Sequence, residues 1–91
     1  MQFDLIWTNW YGRKQVRTLE IAKNTFRRLD AGELREERPY TDIATLEHNA
    51  DEGLLNIHLV DGTTHFYSSS LPNVTERVTE LLEQKLSLPN K

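Results

Sequence analysis

The chain of 91 residues contains no cysteine, which excludes disulfides, thiolate metal centres and a cysteine nucleophile and agrees with a reducing compartment. Glycine (4) and proline (3) are scarce, so each one punctuates the chain. No apolar run approaches the roughly 20 residues that a membrane span needs. The opening MQFDLIWTNW carries Asp4 and has no basic leader region, which places the expectation in the cytoplasm. Positive charge is also short: 11 Lys and Arg against 14 Asp and Glu give a net charge of −3. Nucleic-acid binding calls for a basic excess, so no nucleic-acid partner is expected and any anion site must be local. A chain this long makes one domain, residues 1–91, with a small core and its function on the outside.

What is present begins with regular punctuation. Gly12, Lys23-Asn24, Ala31-Gly32, the stretch from Asn49 to Gly53, and Asp61-Gly62 cut residues 2–69 into strand-length pieces. QVRTLEIA sets Arg17, Leu19 and Ile21 on one face and Val16, Thr18 and Glu20 on the other, the pattern of a half-buried strand. TFRRLDA follows a turn. Pro39 removes a ladder donor and predicts a bend before Tyr40, and the mismatched parity of Ile43 and Leu46 predicts a bulge.

LLNIHLV and TTHFYSS are separated by Asp61-Gly62, a pair preferred in two-residue type I′ turns. That turn predicts Val60 opposite Thr63, His58 opposite His65 and Ile57 opposite Phe66. Leu55, Ile57, Leu59 and Phe66 are then inside, and Asn56, His58, His65 and Tyr67 outside. After Ser70 the period becomes helical: Leu71, Val74, Val78, Leu81, Leu82 and Leu86 form one stripe. A helix over about residues 71–87 is expected, with Ser70 as N-cap, Pro72 in the first turn and Pro89 as the stop. Six or seven antiparallel strands and one closing amphipathic helix define an α+β fold in which a strongly bent sheet or barrel is plugged by the helix.

This order of features resembles the pleckstrin-homology (PH) superfold. WYGRKQVRTLEI with TFRRLD and RPYTDI further resembles the PH-like domain at the N-terminus of the large endosomal J-domain cochaperones of receptor-mediated endocytosis. The resemblance implies a domain that recruits its parent protein to endosomal or other phosphoinositide-bearing membrane, with phosphatidylinositol 3-phosphate as the candidate lipid. It implies Trp10 as a membrane-facing aromatic, Arg13 and Lys14 as loop cations, and Arg17 as the strand cation beneath the headgroup. Gln15 stands where a general PH lipid signature carries a second cation, and no lysine precedes Trp10.

Physically, clustered phosphates are matched by guanidinium forks and loop N–H groups, so NWYGRKQVR is the candidate anion site, with Lys23, Arg27 and Arg28 as a flanking basic patch. The bland reading is that the tryptophans are core and the cations solubilise a turn. The competing functional reading is a protein-interaction module of the same fold that takes a peptide beside the C-terminal helix, near Val78 and Leu82. His58 and His65 lack a third ligand, so no metal site is expected and both are read as exposed strand histidines. Ser68-Ser69-Ser70, Glu36-Glu37 and Asp51-Glu52 lack a catalytic context, so neither an enzyme nor a cofactor is expected.

Overall fold

The computed structural model describes residues 1–9 and 11–86; Trp10 and Pro89 lie outside them. Seven strands run β1 (Gln2–Thr8), β2 (Lys14–Ile21), β3 (Thr25–Asp30), β4 (Glu33–Pro39), β5 (Ile43–Asn49), β6 (Leu54–Leu59) and β7 (Thr64–Ser68). A 3-10 turn, Tyr40–Asp42, separates β4 from β5, and the helix α1 spans Pro72–Leu86. All pairings are antiparallel, in the order β4-β3-β2-β1-β7-β6-β5. The sheet is therefore strongly bent rather than a closed barrel, with β4 and β5 as its two edges. The gap is bridged at one place by polar contacts: the Val60 amide donates to the Asp42 carbonyl at 2.8 Å, and Arg38 of β4 reaches Asp61 at 3.2 Å.

Alternation places the core as the sequence predicts for β2 and β6, and β1 alternates likewise. Leu5, Leu19, Ile21, Leu55, Ile57 and Leu59 are buried and are joined by Phe26, Tyr40, Ile43 and Tyr67. Removing such side chains from water is the main stabilising contribution, about 1.5–3 kcal/mol each. The helix buries Val78 and Leu82 completely and half-buries Val74 and Leu81. Leu71 and Leu86 at the ends of the predicted stripe are exposed, whereas Thr75 and Thr79 are buried. A hydropathy reading passes over threonine, yet its hydroxyl can be satisfied within the helix: Thr79 Oγ1 donates to the Thr75 carbonyl at 2.7 Å. Lys85 donates to the Lys23 carbonyl at 3.2 Å and lies over the Tyr40 ring, so α1 closes the end of the sheet that carries the β2–β3 turn. The expected bulge in β5 falls between Ile43 and Thr45.

The β6–β7 register is one residue away from the expectation. Asp61 and Gly62 do not form a two-residue I′ turn: that turn needs positive φ at both central residues, and only Gly62 (φ +91°) has it. The loop takes three residues instead. Leu59 N–H donates to the Thr63 carbonyl at 2.8 Å, Gly62 N–H donates to the Leu59 carbonyl at 3.1 Å, and Asp61 Oδ1 accepts from the Thr63 amide at 2.9 Å. His58 consequently opposes Thr64, Ile57 opposes His65 and Asn56 opposes Phe66. A one-residue slip exchanges the two faces of a strand, so His65 and Tyr67 are buried inside and Phe66 is outside, 46% exposed. The anticipated pair of exposed histidines does not exist: His58 faces outward, bonded to Glu47 and Thr64, on the opposite side of the sheet from His65.

Candidate functional site

With one end covered by α1, the β1–β2, β3–β4 and β6–β7 turns gather at the other. Between them lies a solvent-open cavity of about 420 Å³, lined by Trp7, Thr8, Asn9, Arg28, Arg35, Glu36, Thr63, Thr64, His65 and Phe66. Its floor is polar although it continues the hydrophobic core. Facing positions on β1, β2, β3, β4 and β7 carry Trp7, Arg17, Arg28, Glu36, Arg38 and His65 at the depth where the other end carries leucines and phenylalanine.

Each charge there is held by a neighbour. Arg28 stacks over the Trp7 ring at 4.0 Å and lies 3.7 Å from Glu36. Arg38 donates from Nε to Glu36 at 2.6 Å and from Nη1 to Asp42 at 3.4 Å and Asp61 at 3.2 Å. Glu36, the largest cause, and Asp61 hold Arg38 above its ordinary pKa. Such pairing offsets the desolvation that a lone buried charge would suffer. Three nitrogens there remain open: Nε of Arg17, Nε of Arg28 and Nε2 of His65 are buried with no hydrogen-bond partner among the described residues. A buried unpaired N–H is costly, and the one on Arg28 belongs to a residue that lines the cavity.

The β1–β2 hairpin forms the cavity's rim. Asn9 Oδ1 accepts from the amides of Tyr11 at 3.1 Å and Arg13 at 2.9 Å, and the Asn9 carbonyl accepts from Gly12 at 2.9 Å. The N–H groups of Asn9, Tyr11, Gly12 and Arg13, expected to meet phosphate, are thus already used within the loop. Arg13 and Lys14 are exposed and have no side-chain partner among the described residues.

The residues proposed from sequence separate into different places. Lys14 opposes Thr8 on the outer face of the sheet, where with Leu54, Asn56, Phe66, Tyr67 and Ser68 it lines a second groove of about 370 Å³. Arg17, three residues on and therefore of opposite parity, points inward. Its guanidinium donates to the Val16 carbonyl at 2.7 Å and Gln15 Oε1 at 2.6 Å, lies 3.4 Å from Asp30, and sits 5.8 Å from the Trp7 ring. The flanking patch also divides. Lys23 is at the helix-covered end, Arg27 is on the outer face bound to Glu20 and Glu37, and only Arg28 reaches the cavity. Arg35, Thr63, Thr64 and His65 were missed. His65 was hidden by the register slip; the others sit in or beside turns, where strand periodicity carries no signal.

No family model matches the chain, and no curated protein does. Its backbone is nonetheless similar to solved PH domains. The C-terminal PH domain of pleckstrin in complex with D-myo-Ins(1,2,3,4,5)P5 superposes with a TM-score of 0.79 at 14% identity, covering 93% of this chain and 95% of that one. The N-terminal PH domain of human ARAP2 gives 0.76 at 12% identity, covering 100% and 84%. The Inner Membrane Complex Sub-compartment Protein 3 of Toxoplasma gondii gives 0.76 at 15%, covering 93% and 73%. At these identities the likeness shows the fold: a PH-like bent sheet capped by one C-terminal helix. No helix among the described residues is long and apolar enough to cross a membrane.

Proposed function

We propose that this domain binds a phosphorylated inositol headgroup at the open end of the sheet and recruits its parent protein to a phosphoinositide-bearing membrane as a non-catalytic adaptor. The observation that carries the reading is the cavity itself. Arg28, whose buried Nε–H has no acceptor among the described residues, lines it with Arg35 and Thr63, and Arg13 and Lys14, without side-chain partners among the described residues, stand on the hairpin that forms its rim. Guanidinium and hydroxyl donors around a concave, partly apolar site suit clustered phosphate oxygens. A structurally similar PH domain is known in complex with an inositol pentakisphosphate, which supports the ligand class. Trp10, which follows Asn9 in the sequence, is the residue that the resemblance assigns to the lipid interface. Arg17 supports the hairpin from below rather than meeting the lipid directly. The resemblance of WYGRKQVRTLEI to the endosomal cochaperone domain makes phosphatidylinositol 3-phosphate the first lipid to test and the endosome the first compartment.

Affinity from one such site is modest, because Glu36, Asp30 and Glu33 neutralise most of the local arginine charge. A basic residue near an anionic surface contributes about 1 kcal/mol, so stable recruitment needs a second contact or more than one copy. Vesicle sedimentation tests this reading. Phosphatidylinositol 3-phosphate vesicles should retain the domain above the level of phosphatidylcholine vesicles, and the double substitution Arg13→Ala, Lys14→Ala should weaken retention about thirtyfold, from about 2 kcal/mol of lost attraction. Equal retention of wild type and double variant would refute the assignment.

One observation favours a second reading, a protein-binding module. Val78 and Leu82, the expected anchors beside the helix, are fully buried beneath it and unavailable to a partner. Val16 (67% exposed), Phe66 and Leu71, however, project from the outer face around Ile6. A partner protein on that face would lose affinity with Val16→Ser, which lies outside the cavity, while headgroup binding persists.

A further inference from the structure

Among the described residues, His65 is the one wall of the cavity whose charge can change near neutral pH, and its surroundings are set by β1, β2, β3, β4, β6, β7 and two turns. From β1, Trp7 Nε1 donates to His65 Nδ1 at 3.3 Å. From β4, Glu36 Oε1 lies 2.9 Å from His65 Nε2, within ion-pair range though off the direction of a hydrogen bond. Arg38 of β4 and Arg28 of β3 share that same Glu36. Arg38 continues to Asp61 in the β6–β7 turn and Asp42 in the 3-10 turn. Arg17 of β2, paired with Asp30, flanks the Trp7 ring. On β7 itself the Tyr67 ring is 6.4 Å away, and β6 offers only Ile57 opposite.

A ring nitrogen that accepts a hydrogen bond carries no proton, so the neutral imidazole keeps its proton on Nε2, facing Glu36. The remaining place for a second proton is Nδ1. Filling it sets Nδ1–H against the indole Nε1–H and adds a positive charge to the cavity wall. It also draws Glu36 toward the imidazolium and away from Arg28. Each change raises the pull on a bound anion.

Resting on the headgroup reading above, we propose that His65 makes the site acid-responsive: proton uptake at Nδ1 strengthens the binding of a polyanionic headgroup by charging the wall and releasing Arg28 from Glu36. Burial disfavours the imidazolium and holds His65 below the ordinary imidazole range, against the opposing pull of Glu36. An anion in the cavity adds to the pull of Glu36, and coupling of this kind is reciprocal: what the proton does for the anion, the anion does for the proton.

The test uses inositol hexasulfate, whose charge is constant across this pH range, so that titration of the ligand is not mistaken for titration of the protein. Calorimetry on the intact domain at about pH 7.5 and about pH 5.5 should show binding about tenfold tighter at the lower value, the gain expected from one added charge in a partly screened site. In ligand-free protein the Trp7 indole Nε1–H resonance should move with the His65 titration, and hexasulfate should raise the His65 midpoint. His65→Gln, which cannot be charged, should bring the two affinities to a ratio near one. His58→Gln, on the outer face, should keep the acid gain. Where His65→Gln does not fold, the wild-type His65 midpoint with and without hexasulfate decides alone. Equal affinity at both pH values, or a midpoint unmoved by the anion, overturns the proposal while leaving the headgroup site standing. Binding at neither pH refutes the headgroup site, and the proposal with it.

Discussion

Replacing Arg17 with methionine and, separately, Lys14 with alanine turns the opposite facing of these two side chains into a pair of crossed measurements. Arg17 is 15% exposed and makes two short hydrogen bonds, at 2.7 and 2.6 Å, besides its approach to Asp30. Methionine keeps the aliphatic stem against Trp7 but removes the guanidinium. A charged hydrogen bond contributes about 1.5–3 kcal/mol. Asp30 is not stranded, because Arg35 also lies 3.5 Å from it, so the total falls below the summed range of about 3–6 kcal/mol, at about 2 kcal/mol. For a domain of this size that lowers Tm by roughly 8–16 °C. Lys14 touches nothing comparable, and its removal should change stability by less than about 0.5 kcal/mol while weakening vesicle binding about fivefold. Thermal unfolding followed by far-ultraviolet circular dichroism, with vesicle sedimentation at a temperature where both variants are folded, reads the two effects separately. An Arg17→Met variant that melts with the wild type yet no longer sediments with vesicles would refute the reasoning, since it would make Arg17 a free ligand for the headgroup.

Gly53 (φ +65°) is buried where a Cβ would come 2.4 Å from the Ser69 carbonyl oxygen, backbone that also supplies the Ser69 amide bonded to the Gly53 carbonyl at 3.0 Å. Gly53→Ala should cost about 3 kcal/mol or more, left-handed strain plus a backbone shift, whereas Gly62→Ala, with open space around it, should cost only the strain of about 1–2 kcal/mol; equal melting points for the two variants would contradict this. Ala31 holds φ +52° in the two-residue β3–β4 turn, so Ala31→Gly should raise stability by up to about 1 kcal/mol in urea titration. Burial pushes the Tyr67 hydroxyl well above its ordinary pKa. The folded protein then keeps that proton while the unfolded chain releases it above about pH 10, so stability falls as pH rises through that region. Tyr67→Phe should flatten the alkaline fall, and a slope identical to wild type would show that Tyr67 is not its source.

Much of the fold was legible because it depends on local period. Alternation in QVRTLEI and the helical stripe from Val74 to Leu82 each choose a buried face without reference to the rest of the chain. The same alternation separates Lys14 from Arg17, so the division of that pair was readable from spacing alone. The β6–β7 turn was not. Asp-Gly serves either a two-residue loop or a three-residue loop with one left-handed glycine, and local chemistry does not choose between them. The choice follows from which residues the completed sheet can bury, and here it places His65 beside Trp7 and Glu36 and leaves Phe66 in solvent.

Local pattern is enough to specify an antiparallel meander of short strands ending in one amphipathic helix, with a basic first hairpin on an acidic chain. It is not enough to show that the amides of Tyr11, Gly12 and Arg13 are satisfied by Asn9, that Arg17 is consumed by Gln15 and Asp30, or that Arg28, Arg35 and His65 meet at the open end. The last of these depends on residues far apart along the chain. Trp7 and His65 are 58 residues apart and meet because β7 pairs with β1, and a contact of that span is a property of the folded sheet rather than of any segment in it.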